Sequence, residues 1–109
     1  MGGEESLEQT AVEYVLHLFI TGATPNSTRA VRNIKEICEQ HLKGRYELLI
    51  IDIYQQPDLA GQEQIIAAPT LIKKWPLPLR RLIGDLSERE QVLTALGLSP
   101  STLSENGYE

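Results

Sequence analysis

An α/β domain in the order β-α-β-α-β-β-α is what this 109-residue chain predicts, and three observations carry that expectation. Two apolar runs rich in β-branched and aromatic residues, 14–20 and 46–53, flank a stretch whose apolar residues recur every three or four positions. Strand, helix and strand at these lengths predict a right-handed parallel crossover. After it, Pro57, Gly61, Pro69, Pro76, Pro78 and Gly84 cut the chain into short pieces, which suits a small helix, a hairpin and a closing helix.

The run from Tyr14 to Ile20, closed by Thr21-Gly22, reads as a strand buried on both faces and therefore central in its sheet. Thr24 is placed to cap a helix whose first residue is Pro25. Ala30, Val31, Ile34, Ile37, Cys38 and Leu42 form its apolar face, and Gly44 stops it. Tyr46 to Ile53 is the second strand. Asp58 to Ile66 is expected as a short helix starting at Pro57. Thr70 to Lys74 and Arg80 to Ile83 are expected to pair across the turn Trp75-Pro-Leu-Pro78, with basic residues on or near the open edge. Ser87-Glu-Arg-Glu90 has the spacing of a capping box, so a last helix is expected from Ser87 to Leu96.

One domain with one modest core is all that a chain of this length holds, here residues 14–98. Residues 1–13 are expected as a flexible acidic N-terminus, and 99–109 as a disordered tail with almost nothing to bury. No apolar run approaches the roughly 18 residues of a membrane span, and the acidic start does not suit a secretory signal. Met1-Gly-Gly-Glu-Glu-Ser6 matches a myristoylation start only formally, because its acids would be repelled by an anionic leaflet. A single cysteine, Cys38, fits a reducing cytosol, so a cytoplasmic setting is expected.

The net charge of −5 is concentrated at the ends, where Glu4, Glu5, Glu8, Glu13, Glu105 and Glu109 stand. Without them the domain is about neutral. No acid falls between Glu63 and Asp85, whereas Lys73, Lys74, Arg80 and Arg81 do, and this local basic patch points to an anionic partner surface. Such residues also serve as charges that keep a sheet edge from aggregating. Nucleic acid is not the expected partner, since only Trp75 offers a stacking platform within the patch. Cys38 lies on an apolar helix face, with no pattern tying it to His17 or His41, so neither nucleophilic catalysis nor a metal site is expected.

The element order, with Ala67-Ala-Pro69-Thr-Leu71 some forty residues after the turn Thr24-Pro-Asn-Ser27, resembles the thioredoxin fold. The thioredoxin cysteines are missing, because Gly22 to Ser27 holds no sulfur for a helix N-terminus to activate. The resemblance thus implies a redox scaffold used as a binding module. The runner-up is a thioredoxin-fold oxidoreductase relative whose chemistry comes from a bound thiol.

A closer resemblance rests on Tyr14 to Gly22, Thr24-Pro-Asn-Ser-Thr-Arg-Ala30, Lys43-Gly-Arg-Tyr46, Ile51-Asp-Ile-Tyr-Gln-Gln-Pro57, Ala68-Pro-Thr-Leu71 and Arg80-Arg-Leu-Ile-Gly-Asp-Leu-Ser87. On these residues the stretch Tyr14 to Leu98 resembles the KaiB family of cyanobacterial clock proteins. That resemblance implies a non-enzymatic adaptor without cofactor. Its implied partner is the ATPase ring of a hexameric KaiC-type kinase, with KaiA and a clock-associated histidine kinase as further partners. It also implies two folds, a tetrameric or dimeric ground state and a monomeric thioredoxin-like state that binds, differing in the second half of the chain. Arg29, Thr70, Lys73 and Arg81, with Arg80 beside them, match the family's positions on or near the surface offered to the ring. Pro69, Pro76, Pro78 and Ala95 are the positions expected to bear on the switch. Pro69 is expected cis in the thioredoxin-like state, and different proline isomers in the two folds would slow exchange to tens of seconds or more. Ala95 is expected to favour the state in which its segment is a helix. His17 and Leu49 replace usual lysines, the turn at Trp75 has fewer prolines, and Gly97 replaces a usual acid, so the chain looks like a divergent paralogue.

Overall fold

The computed structural model describes residues 12–65 and 69–98. It contains β1 (Tyr14–Ile20), α1 (Pro25–His41), β2 (Tyr46–Asp52), α2 (Pro57–Gln62), β3 (Thr70–Trp75), β4 (Arg80–Ile83) and α3 (Arg89–Ala95). The four strands form one mixed sheet in the order β2-β1-β3-β4. The expected thioredoxin-like α/β order is present, and β1 is internal as its composition predicts.

β1 pairs with β2 in parallel, from Tyr14 opposite Tyr46 to Ile20 opposite Asp52. The crossover between them is α1. Thr24 Oγ1 accepts from the backbone N–H of Ser27, and Pro25 occupies the first turn, so both signals at the helix start act as predicted. Ser27 is buried and its Oγ also accepts from the Thr21 N–H at 3.0 Å, which locks the β1 to α1 turn. At the other end Gly44 takes φ +79°, a conformation other residues adopt only with strain, and the chain turns back into β2.

Packing divides between the two sides of the sheet. On one side Leu16, Leu18 and Leu71 meet Ala30, Ile34, Ile37 and Cys38 of α1 and Val92, Leu93 and Leu96 of the α3 region. On the other, the short α2 lays Ala60 and Leu59 against Phe19, Ile51 and Ile72. Each fully buried leucine or isoleucine here contributes roughly 1.5–3 kcal/mol by leaving water. The larger core is thus built by α1 and α3, and α2 covers only part of the opposite side.

Two helix boundaries depart from expectation. α2 ends at Gln62, short of the predicted Ile66, because Gln64 takes φ +57°, where a helix cannot continue; Ile66 itself lies outside the described residues. α3 begins at Arg89 instead of Ser87, and its N-cap Glu88 makes no side-chain cap bond. A capping box needs the backbone N–H of Ser87 for Glu90, but Asp85 Oδ1 accepts that N–H at 3.1 Å, and Leu86 at φ +63° turns the chain before the helix starts. The peptide bonds preceding Pro76 and Pro78 are cis. The bond before Pro69 involves Ala68, which lies outside the described residues, as do residues 1–11 of the expected flexible N-terminus and the expected tail from 99. Glu13 is tied down, its N–H donating to the Arg45 carbonyl and its carboxylate meeting the Arg45 guanidinium at 2.6 Å.

Candidate functional site

One of the two edges of the sheet is β4, a four-residue strand paired on one side with β3. Edge strands stay unpaired only when something blunts them, and here Arg80 and Arg81 do so, both exposed. The register sets Arg80 opposite Lys73 and Arg81 opposite Ile72. A shallow groove of about 540 Å³ separates β4 from α3 and is lined by Arg80, Arg81, Leu82, Glu90, Thr94 and Ala95. Around the turn and along the edge stand exposed apolar side chains, Leu77 at 65% and Ile83 at 66%, with Leu79 and Trp75. This is a cationic edge with an apolar rim, the composition of a surface for another macromolecule.

Arg29 joins that edge from α1. Its Nε donates to Asp85 Oδ2 at 3.0 Å and its Nη2 to Asn26 Oδ1, while Asn33 Nδ2 donates to the Asp85 carbonyl at 2.8 Å. Asp85 thus clips the loop after β4 onto the first half of α1. Hydrogen bonding from Ser87, then from Arg29, holds the Asp85 carboxyl below its ordinary value.

Not every residue of the expected set reaches the surface. Arg29, Arg80 and Arg81 are exposed, whereas Thr70 is buried and Lys73 is only 5% exposed. Lys73 pairs with Leu16 of β1 on the side that α1 and α3 cover, so its stem is enclosed and its ammonium is pushed down in pKa, first by desolvation and then by Arg80. Lys74, by contrast, meets Glu63 at 2.6 Å, and Arg81 Nη2 donates to the Glu63 carbonyl. The two acids that bracket the basic run in sequence are thus both paired, Glu63 with Lys74 of that run and Asp85 with Arg29 of α1. Reading along the chain missed this. The one available signal was Asp85 two residues before Ser87, the spacing of an Asx turn.

The turn where a thioredoxin carries its nucleophile is formed by Gly22, Ala23, Thr24 and Pro25. Cys38 is buried on the core face of α1, and burial, with a smaller effect from Glu39, pushes its thiol up to about 12. A thiol so placed is protonated and shielded at neutral pH. Among the described residues no three His, Cys, Asp or Glu side chains gather in a way that could hold a metal ion.

This geometry has known counterparts. A domain model described as the KaiB domain matches residues 17–98. The circadian clock oscillator protein KaiB of Prochlorococcus marinus subsp. pastoris is 52% identical over 95 residues, covering 87% of this chain and 89% of that protein. The protein of the same name from Trichodesmium erythraeum is 50% identical over 95 residues, covering 87% and 91%. Among solved structures, the N-terminal domain of Synechococcus elongatus SasA superposes with a TM-score of 0.65 at 26% identity, over 83% of this chain and 89% of that one. Chloroplastic thioredoxin z gives a TM-score of 0.66 at 18% identity, over 89% and 87%, and so shares the fold alone. With a family model spanning most of the described domain and relatives at about half identity, the chain belongs to the KaiB family.

Proposed function

We propose that this protein is a circadian clock adaptor of the cytoplasm that binds the ATPase ring of a hexameric KaiC-type kinase and regulates its phosphorylation cycle and output. The observation that carries the reading is the β4 edge, where Arg80 and Arg81 stand exposed beside Leu79 and Ile83 with Arg29 at the start of α1. Arg80, Arg81 and Arg29 are the direct contacts. Thr70 and Lys73, being enclosed, support the strand that presents them. KaiA and a clock-associated histidine kinase are further candidates for the same scaffold.

The mechanism is conformational selection. The thioredoxin-like arrangement is the binding state, and a second packing of the chain after β2, favoured in a tetramer or dimer, competes with it. Apparent affinity is lowered by whatever fraction lies outside the binding fold. Pro69, Pro76, Pro78 and Ala95 lie in the part that is repacked. The alternative of a thiol-dependent oxidoreductase is disfavoured by the sulfur-free turn at Gly22 to Pro25 and by the enclosed Cys38.

Size-exclusion chromatography with light scattering tests the reading. The chain is mixed with a KaiC-type hexamer and ATP and followed over hours, beside Arg81→Glu. A complex that grows with time for the wild type and fails to form with the variant is expected. Equal complex formation by both proteins overturns the proposed edge, and no complex by either overturns the proposed partner.

A further inference from the structure

Helix α1 meets a different surrounding on each of its flanks. Ala30, Ile34, Ile37 and Cys38 enter the core. Arg29 and Asn33, one turn apart, lie on one flank, where Asp85 holds both. Thr28 and Arg32, with Val31 and Lys35, make the opposite flank at the same helical spacing. There a groove of about 510 Å³ runs along the helix beside the turn that ends β1, lined by Ile20, Ala23, Thr28, Val31, Arg32 and Lys35.

This groove has an apolar floor and a cationic rim. Ile20 and Val31 are half-buried and pack against the margin of the larger core. Arg32 and Lys35 are exposed and three positions apart on the helix, so their charged ends can reach one anion. Neither has a partner among the described residues. The ion pairs there are Arg29 with Asp85, Arg45 with Glu13 and Lys74 with Glu63, and neither Arg32 nor Lys35 donates a hydrogen bond to a described residue. Glu39, one turn beyond Lys35, instead accepts from the Tyr46 hydroxyl at 2.7 Å. Among the described residues no carboxylate lines the groove, whereas Glu90 lines the one beside β4.

We propose that this groove binds a small amphipathic carboxylate, a medium-chain aliphatic acid whose carboxylate is held by Arg32 and Lys35 and whose chain lies on Ile20, Ala23 and Val31. A guanidinium meets a carboxylate with two parallel N–H donors, and an ammonium beside it adds charge. An apolar floor with a few convergent polar groups, at a volume within the usual roughly 300–1,000 Å³, suits a small molecule. The lining stripe from Ser27 to Lys35 runs roughly 12 Å along the helix, room for such a chain to lie lengthwise. An inorganic anion would leave the floor in water, and a neutral chain would leave the cations unmatched. The site is independent of the edge proposed for the kinase ring, since it lies on the other flank of α1 from Arg29 and includes neither Arg80 nor Arg81.

Octanoate is the probe, titrated into the full chain while its amide resonances are followed by NMR. Saturable shifts are expected at Gly22, Ala23, Thr28, Val31 and Lys35, with the β4 amides unmoved. Arg32→Gln combined with Lys35→Gln changes two exposed positions, and its fold is checked by unchanged β1 resonances. That variant is expected to bind octanoate about tenfold more weakly or worse, and octanol and inorganic phosphate are expected to bind the wild type about tenfold more weakly than octanoate does. No saturation at millimolar octanoate overturns the proposal, as do shifts centred on the groove beside α3 or phosphate binding as tight as that of octanoate. A leucine-ended peptide whose terminal carboxylate shifts the same amides at lower concentration than octanoate also overturns it, in favour of a protein chain end as the occupant.

Discussion

Replacing Ala95 with glycine probes the α3 region, which completes the larger core and lines the groove beside Arg80. Ala95 is the last residue of α3 and half-buried, followed by Leu96 in the core and Gly97 at φ +79°. Glycine costs roughly 1 kcal/mol against alanine inside a helix and less in the final turn. Loss of a half-buried methyl adds a fraction of the roughly 0.8 kcal/mol of a buried methylene. The sum is about 1 kcal/mol, or roughly a fivefold change in the equilibrium between docked and undocked α3. The amides that report it are those of Leu96, bonded to the Val92 carbonyl at 3.0 Å, and Leu98, bonded to that of Leu93 at 2.7 Å. Hydrogen exchange at these two sites should accelerate about fivefold in Ala95→Gly, while β1 amides such as Leu18 keep their rates. Apparent affinity for the KaiC-type ring should fall by a similar factor where the binding fold is the minor state. Exchange at Leu96 and Leu98 unchanged within twofold, with unchanged helix content, would refute the reasoning that α3 stability sets the population of the binding fold.

Alkaline titration should weaken the fold. Burial raises the Cys38 thiol from near 9 to about 12, and the Glu39 carboxylate, accepting from the Tyr46 hydroxyl at 2.7 Å, raises Tyr46 from 10 to about 12. Both groups hold their protons more tightly when folded, so their contribution is complete below pH 9 and is lost as pH rises towards 12, measurable as a falling urea midpoint. Cys38 itself should resist a disulfide reagent at pH 8 until denaturant is added, when a single thiol reacts. At the acid end Asp85 has its proton affinity lowered, so its contribution is present above about 4 and lost below, and Arg29→Gln should move its NMR-detected pKa upward. Leu86 is nearly buried at φ +63°, so Leu86→Ala should cost about 2–4 kcal/mol in a denaturation experiment, and Leu86→Gly should recover part of that through relief of the left-handed backbone.

How much was legible in the sequence follows from how local each signal is. β1, α1 and β2 are long and strongly periodic, and Thr24, Pro25 and Gly44 act on their own neighbours, so their placement is read correctly within a residue or two. The start of α3 was misread because Ser87 has two competing partners, and only the three-dimensional position of Asp85, held by Arg29 and Asn33 across more than fifty residues, decides between them. The same kind of non-local contact separates Lys73 from Arg80. Both stand in a basic run, yet Lys73 pairs with a central strand and is enclosed, whereas Arg80 lies on the edge. The exposed Leu77, Leu79 and Ile83 belong to the candidate surface as much as the arginines do, and charge counting alone passes over them.

A sheet ordered β2-β1-β3-β4 leaves two unpaired edges of opposite electrical character. One strand carries Glu47 and Asp52, and the other Arg80 and Arg81. Unlike edges that attract one another do not close after two copies, since each addition leaves one acidic and one basic end free. Two copies approaching edge to edge therefore meet unlike charge only when β2 of one faces β4 of the other, an attraction that ordinary ionic strength screens.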